Sequence, residues 1–212
     1  NATGPTISTS NFCENIPSNV SGVHVDDGTN CLAISCTDLN NNGIADECEG
    51  SVFTVDDDGP ANFDNIQSAI ENATSGDTVY AWNGTFRENL IIDRGVTLLG
   101  NGTGSTIIDG AGNTSVKVTG KYATIANLTV KGATTAANYG IYVNSSGGGL
   151  NATGVRLHDN YIGLYFNSKS WGSRIADSTI NSNSNSGFHI FAATGIRIEN
   201  CTISNNGLHG IH

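Results

Sequence analysis

Twelve consecutive residues of this chain carry the clearest metal chemistry. Asp38-Leu39-Asn40-Asn41-Asn42-Gly43-Ile44-Ala45-Asp46-Glu47-Cys48-Glu49 fits the pattern D-x-[DN]-x-[DN]-G-x5-E in full. Oxygen-bearing side chains at alternate positions let a short chain wrap a hard cation, and Gly43 permits the sharp turn. Asp38, Asn40, Asn42, Asp46 and Glu49 are the candidate side-chain ligands, with the peptide oxygen of Ile44 as the backbone ligand. So few formal charges suit calcium at roughly millimolar, extracellular levels, so the expected cofactor is a structural calcium ion. The alternative is an Asn- and Gly-rich turn that holds no ion.

A second group of residues is spaced for contact rather than ligation. Tyr142, Tyr165, His189 and His212 each occupy the middle of a short strand of the form Gly-x-x-x. Side chains alternate along a strand, so these four point outward in one line, with Lys117 of Val116-Lys117-Val118 preceding them. Such a row can stack on sugar rings, pack against a neighbouring subunit, or reflect ordinary cross-strand stacking. A metal held by His189 and His212 lacks a third ligand in this reading.

Four of the five cysteines, Cys13, Cys31, Cys36 and Cys48, lie in the first fifty residues. Clustering in a small, core-poor segment points to local disulfides and an oxidising compartment. Four cysteines allow three pairings; Cys36–Cys48 with Cys13–Cys31 is favoured because the first pair brackets the acidic loop. Zinc is the alternative, although the spacings form no paired CxxC knuckles. Asn-x-Ser/Thr sequons stand at Asn1, Asn19, Asn72, Asn83, Asn101, Asn113, Asn127, Asn144, Asn151 and Asn200. Roughly five would arise by chance, so covalent N-glycans are expected on several of them.

Nine Lys and Arg in 212 residues, with a net charge of −10, leave no basic surface for nucleic acid or for an anionic membrane. No apolar run approaches the roughly 18 residues of a membrane span. Gly and Asn, at 27 each, suit a chain that turns often. Residues 1–50 form a Cys-rich segment with the calcium loop, and residues 51–212 a repeating domain. Phe63, Ile66, Ala69 and Ile70 share one helical face, which predicts a short cap helix over about 62–72. Beyond it, Ile125, Leu150, Ile175 and Ile198 recur, each followed five residues later by Val130, Val155, Ile180 and Ile203. Glycines 140, 163, 187 and 210 open a second series. Coils of about 23–25 residues with alternation inside each short run predict an all-β chain, a parallel β-helix whose inner faces are buried only by stacking. Cys201, equivalent here to Leu128, Thr153 and Ser178, is expected to point inward as an inert thiol. The chain stops midway through a coil with no C-terminal cap, which predicts either a longer chain or head-to-tail self-association.

Several motifs also carry a family resemblance. Asp57-Asp58-Gly59-Pro60, Ile66-Gln67-Ser68-Ala69-Ile70, Gly76-Asp77-Thr78-Val79, Asn83-Gly84-Thr85-Phe86, Glu88-Asn89 and Val96-Thr97-Leu98-Leu99-Gly100 resemble the opening of pectin-lyase-like right-handed parallel β-helix proteins of the NosD/CASH repeat type. The loop at 38–49 is similar to the calcium loops of dockerin-like and thrombospondin type 3-like repeats. The first resemblance implies fold more strongly than function, since such proteins include polysaccharide lyases, hydrolases, epimerases, surface-layer proteins and adhesins. Lyase or hydrolase chemistry there needs clustered acids on adjacent coils. Two residues after the first aliphatic of each coil stand Asn127, Ala152, Asp177 and Asn200, of which one is acidic. The sequence therefore leans away from an enzyme. It reads first as an extracellular structural protein, a glycosylated cell-surface or filament-forming subunit. The alternatives are a glycan-binding or adhesin module, or a polysaccharide lyase or hydrolase.

Overall fold

The computed structural model describes Asn11–Phe12, Cys31–Leu32 and residues 50–212. The chain divides into two compact units, Asn1–Ser51 and Val52–His212. In the first unit, Asn11–Phe12 pairs in parallel with Cys31–Leu32.

The second unit is nearly all β, a parallel solenoid with one short helix. Each coil gives one strand to each of three parallel sheets, of seven, six and six strands. Thr124–Ala126, Thr129–Lys131 and Tyr139–Val143 form one coil. Asn151–Thr153, Arg156–His158 and Ile162–Phe166 form the next. Arg174–Ala176, Thr179–Asn181 and Ser186–Ile190 follow. Inward residues stack in register. Leu98, Ile125, Ala152, Ile175 and Ile198 make one ladder. Ile108, Val130, Leu157, Ile180 and Ile203 make the second, and Val116, Ile141, Leu164, Phe188 and Ile211 the third.

Two ladder members expected from the spacing are displaced. Ile125 aligns with Ala152, 27 positions on, not with Leu150, and Val130 aligns with Leu157, not Val155. Relative to the next coil, the extra length lies in residues 132–138, between the strands of the second and third sheets. Leu150 and Val155 are still fully buried, at the bends flanking Asn151–Thr153. Cys201 thus stacks under Leu128, Val155 and Ser178, with Val155 where Thr153 was expected. Its thiol is half-buried, with Sγ 3.2 Å from the carbonyl oxygen of Glu199.

The helix spans Ile66–Asn72 and starts four residues later than the apolar spacing implied. Phe63 is the reason. Its N–H donates to Thr54 O and its carbonyl accepts from Asp56 N–H, so the backbone there pairs with a strand. Asn65 then caps the helix, its side chain accepting from Ser68 N–H at 2.9 Å. Glu88 accepts from the N–H groups of Ile66 and Gln67 at 2.8 and 2.9 Å. Ile66, Ala69 and Ile70 are buried against the first coil.

Polar order is built into two corners. Asn127, Gly154, Asp177 and Asn200 all take positive φ, between 48° and 59°, at the turn from the first sheet to the second. Asn, Asp and Gly are the residues that tolerate this conformation best. At the next corner, Asn160, Asn183 and Asn206 stack inside. Asn160 Nδ2 donates to Asn183 Oδ1 at 3.1 Å, and Asn183 Nδ2 to Asn206 Oδ1 at 3.0 Å. Asn183 Nδ2 also donates to Leu157 O, and its Oδ1 accepts from Asn160 N–H. Asn183→Ala strands several of these buried groups and is expected to lower the unfolding free energy by about 2 kcal/mol or more. Urea denaturation checks it, with the exposed Ser184→Ala expected to stay within about 0.5 kcal/mol of the parent.

Candidate functional site

The outward row of the third sheet holds Ile91, Lys117, Tyr142, Tyr165 and His189 in register, and the His212 carbonyl accepts from Ile190 N–H beside it. Stacking between coils brings the rings into contact. Tyr142 and Tyr165 lie 5.6 Å apart between ring centroids, Tyr165 and His189 4.8 Å, and His189 and His212 4.6 Å. All four residues of the expected row are therefore brought together.

The structure adds two rings that the row did not include. Tyr139 lies 5.2 Å from Tyr142 and 4.6 Å from Tyr165, and His209 lies 4.8 Å from His212. Each stands three residues before a member of the row, a recurrence visible in the sequence once the strands are known to begin there. Tyr161 flanks the group, its hydroxyl accepting from Asn185 Nδ2 at 3.0 Å. The Tyr142 hydroxyl accepts from Asn167 Nδ2 at 2.9 Å. Tyr139, Tyr161, Tyr165, His189, His209 and His212, with Ala136 and Ala137 of the segment that lengthens the coil, line a cleft of about 390 Å³.

Burial raises the Tyr139 phenol above its ordinary value, with Tyr165 next in effect, and Tyr165 is raised by burial and then by Tyr142. Burial, followed by the neighbouring His212, holds the His189 imidazole below its ordinary value. Tyr139, Tyr165 and His189 therefore stand uncharged at neutral pH. Neutral rings offer flat apolar surface, while their hydroxyls and ring nitrogens offer hydrogen bonds. A sugar presents the matching combination of C–H face and hydroxyl rim.

A second cleft, of about 440 Å³, is lined by Asp56, Asp58, Tyr80, Trp82, Asn83 and Asn101. Carboxylate oxygens of Asp56, Asp57 and Asp58 lie within 4.8 Å of one another, the one such metal-type cluster among the described residues. Three successive aspartates are the signal in the sequence that marks this cluster. The other lining residues of this cleft are aromatic or amide.

Of the sequons, Asn72, Asn83, Asn101, Asn113, Asn127 and Asn200 are exposed, while Asn144 and Asn151 are half-buried. Asn1 and Asn19 lie outside the described residues, as do the calcium-loop positions Asp38, Asn40, Asn42, Ile44, Asp46 and Glu49 and the cysteines Cys13, Cys36 and Cys48. Cys31 is described only as part of its short strand.

Residues 113–212 match the family described as "Right handed beta helix region". The solenoid is a right-handed parallel β-helix. Solved structures repeat this fold. An alginate lyase from Paenibacillus sp. superposes with a TM-score of 0.53 at 22% identity, covering 63% of this chain and 54% of that one. The pectin methylesterase PemA from Erwinia chrysanthemi gives 0.56 at 18% identity, covering 72% and 54%. A carrot pectin methylesterase gives 0.51 at 16%, covering 72% and 64%. The β-helix chain thus spans less than two thirds of each of these proteins, and at such identities the likeness is one of fold. No curated protein matches it.

An NMR titration of the His189 ring is expected to give a midpoint below 6.5. The folded β-helix then holds this proton less firmly than the unfolded chain. The stability the neutral ring contributes is complete above the unfolded value and lost as pH falls through the folded one. His212→Ala is expected to move the midpoint back up, and a parent midpoint at or above 6.5 would contradict the burial described.

Proposed function

We propose that this chain is an extracellular, glycosylated β-helix module that binds carbohydrate along its third sheet. One observation carries the reading: Tyr139, Tyr142, Tyr165, His189, His212 and His209 form an unbroken chain of ring contacts across successive coils. A concave surface with aromatic walls and a few convergent polar groups is what a small-ligand or glycan site requires. No carboxylate among the described residues lines this cleft, so the proposal is binding rather than hydrolysis by paired acids. In the same reading the loop at Asp38–Glu49 holds calcium as a structural staple, and the cysteines and sequons belong to a secreted surface protein.

A glycan array followed by calorimetry tests the main claim. Tyr165→Ala, at the centre of the contacts, is expected to weaken binding about tenfold, the equivalent of about 1.4 kcal/mol. Trp171→Ala, on another face, is expected to leave it unchanged. Equal losses from both variants, or no glycan bound at all, would sink the reading. The competing occupant of the face is a second copy of the chain, as a structural or filament subunit would need. Light scattering separates the two, because Tyr165→Ala would then lower the assembly state instead of glycan affinity.

A further inference from the structure

Eight sequons lie among the described residues, and their surroundings differ sharply. N-glycosylation needs a free side-chain amide nitrogen and an accessible hydroxyl two residues on. At Asn113 and Asn127 the hydroxyls are buried: Ser115 Oγ donates to Lys131 O at 2.8 Å, and Thr129 Oγ1 to Thr103 O at 2.6 Å. At Asn72 and Asn200 the amide nitrogen is committed, to Ser68 O at 2.8 Å and to Asp177 Oδ1 at 2.6 Å. Asn144 Nδ2 donates to Ser146 Oγ at 3.4 Å, its own sequon hydroxyl. Asn151 is half-buried between Thr124 and Arg174 of the flanking coils.

The remaining two sequons meet each other. Asn101 Nδ2 donates to Asn83 Oδ1 at 2.8 Å, and Asn101 Oδ1 accepts from the Tyr80 hydroxyl at 3.0 Å. Asn101 is thus held at both ends. Among the described residues Asn83 is held by its oxygen alone, its Nδ2 donating to none of them, and its sequon hydroxyl, on Thr85, is exposed. Bonding a sugar to Asn83 Nδ2 leaves the acceptor Oδ1 in place, so the link to Asn101 survives. Trp82, 36% exposed, stands beside Asn83 in the cleft with Tyr80.

We propose that Asn83 is the occupied acceptor of the Asn83–Asn101 pair, with the first sugar of its glycan lying in this cleft against Trp82. The inference rests on the glycoprotein reading above. The donor is a sugar activated at C1 by a phosphate ester. The Asn83 nitrogen bonds to C1, the C1–O bond breaks, its electron pair leaves on the phosphate, and one amide proton passes to the transferase.

The test is glycopeptide mass spectrometry of the protein purified from the organism that makes it. A glycan on Asn83 with Asn101 bare is the expected result. A glycan on Asn101, alone or on the same molecule as Asn83, overturns the inference while leaving the glycoprotein reading intact. Bare asparagine at every sequon overturns both. Thr85→Ala removes the acceptor motif without touching the amide pair and is expected to lose that one glycan mass; retention of it refutes the assignment. In a Trp171→Phe background, the glycosylated chain is expected to emit at shorter wavelength than the Thr85→Ala chain. Identical spectra would overturn the placement against Trp82.

Discussion

Everything in the repeating unit depends on each coil using the next one as its inner lid. A single coil of some two dozen residues has one thin layer of aliphatic side chains and no second layer to cover it. Parallel backbone bonds hold neighbouring coils at about 4.8 Å, a distance at which like residues meet like. Leu164 then rests on Ile141 and beneath Phe188. The buried asparagines do for polar groups what these aliphatics do for apolar ones. Each amide donates to the next and accepts from the last, so a polar residue inside the stack is satisfied by its own repetition.

The same repetition acts on the outside of the wall. Once inner positions are aligned, outer positions have no freedom to miss one another, and a tyrosine in successive coils becomes a stacked pair without a dedicated scaffold. The contact face is in this sense a by-product of core packing. Its chemistry is set by which side chains occupy one outward position, from Lys117 through two tyrosines to the histidines. Burial by neighbouring rings then keeps Tyr139, Tyr165 and His189 neutral.

Period and alternation made the β-helix legible in the sequence, and they placed Tyr142, Tyr165, His189 and His212 on one line because the spacing from Gly140 onward is nearly constant. Register failed where spacing changed. Leu150 and Val155 are aliphatic at intervals that mimic a 25-residue coil, yet the backbone runs two residues further before pairing. The helix start was misjudged because Phe63 satisfies an apolar pattern equally well as a strand partner of Val55. Tyr139 and His209 escaped notice because they sit at strand beginnings, where alternation gives no direction. The buried role of Asn160 and Asn183 was hidden because asparagine reads as turn and surface when residues are taken one at a time. The clefts depend on chain segments that pass close only after folding.

Residues 132–138 lengthen one coil without disturbing the stack above or below. The segment stays tied to the neighbouring coils, Gly132 N–H donating to Asp159 O and Thr135 N–H to Gly112 O, while Ala136 and Ala137 are exposed. Such a corner is a length-tolerant socket: segments of different size and composition can be exchanged there while the repeating wall stays in step. Because Ala136 and Ala137 of this socket edge the aromatic cleft, the length and composition of this one segment set the breadth of the cleft while the buried ladders stay as they are.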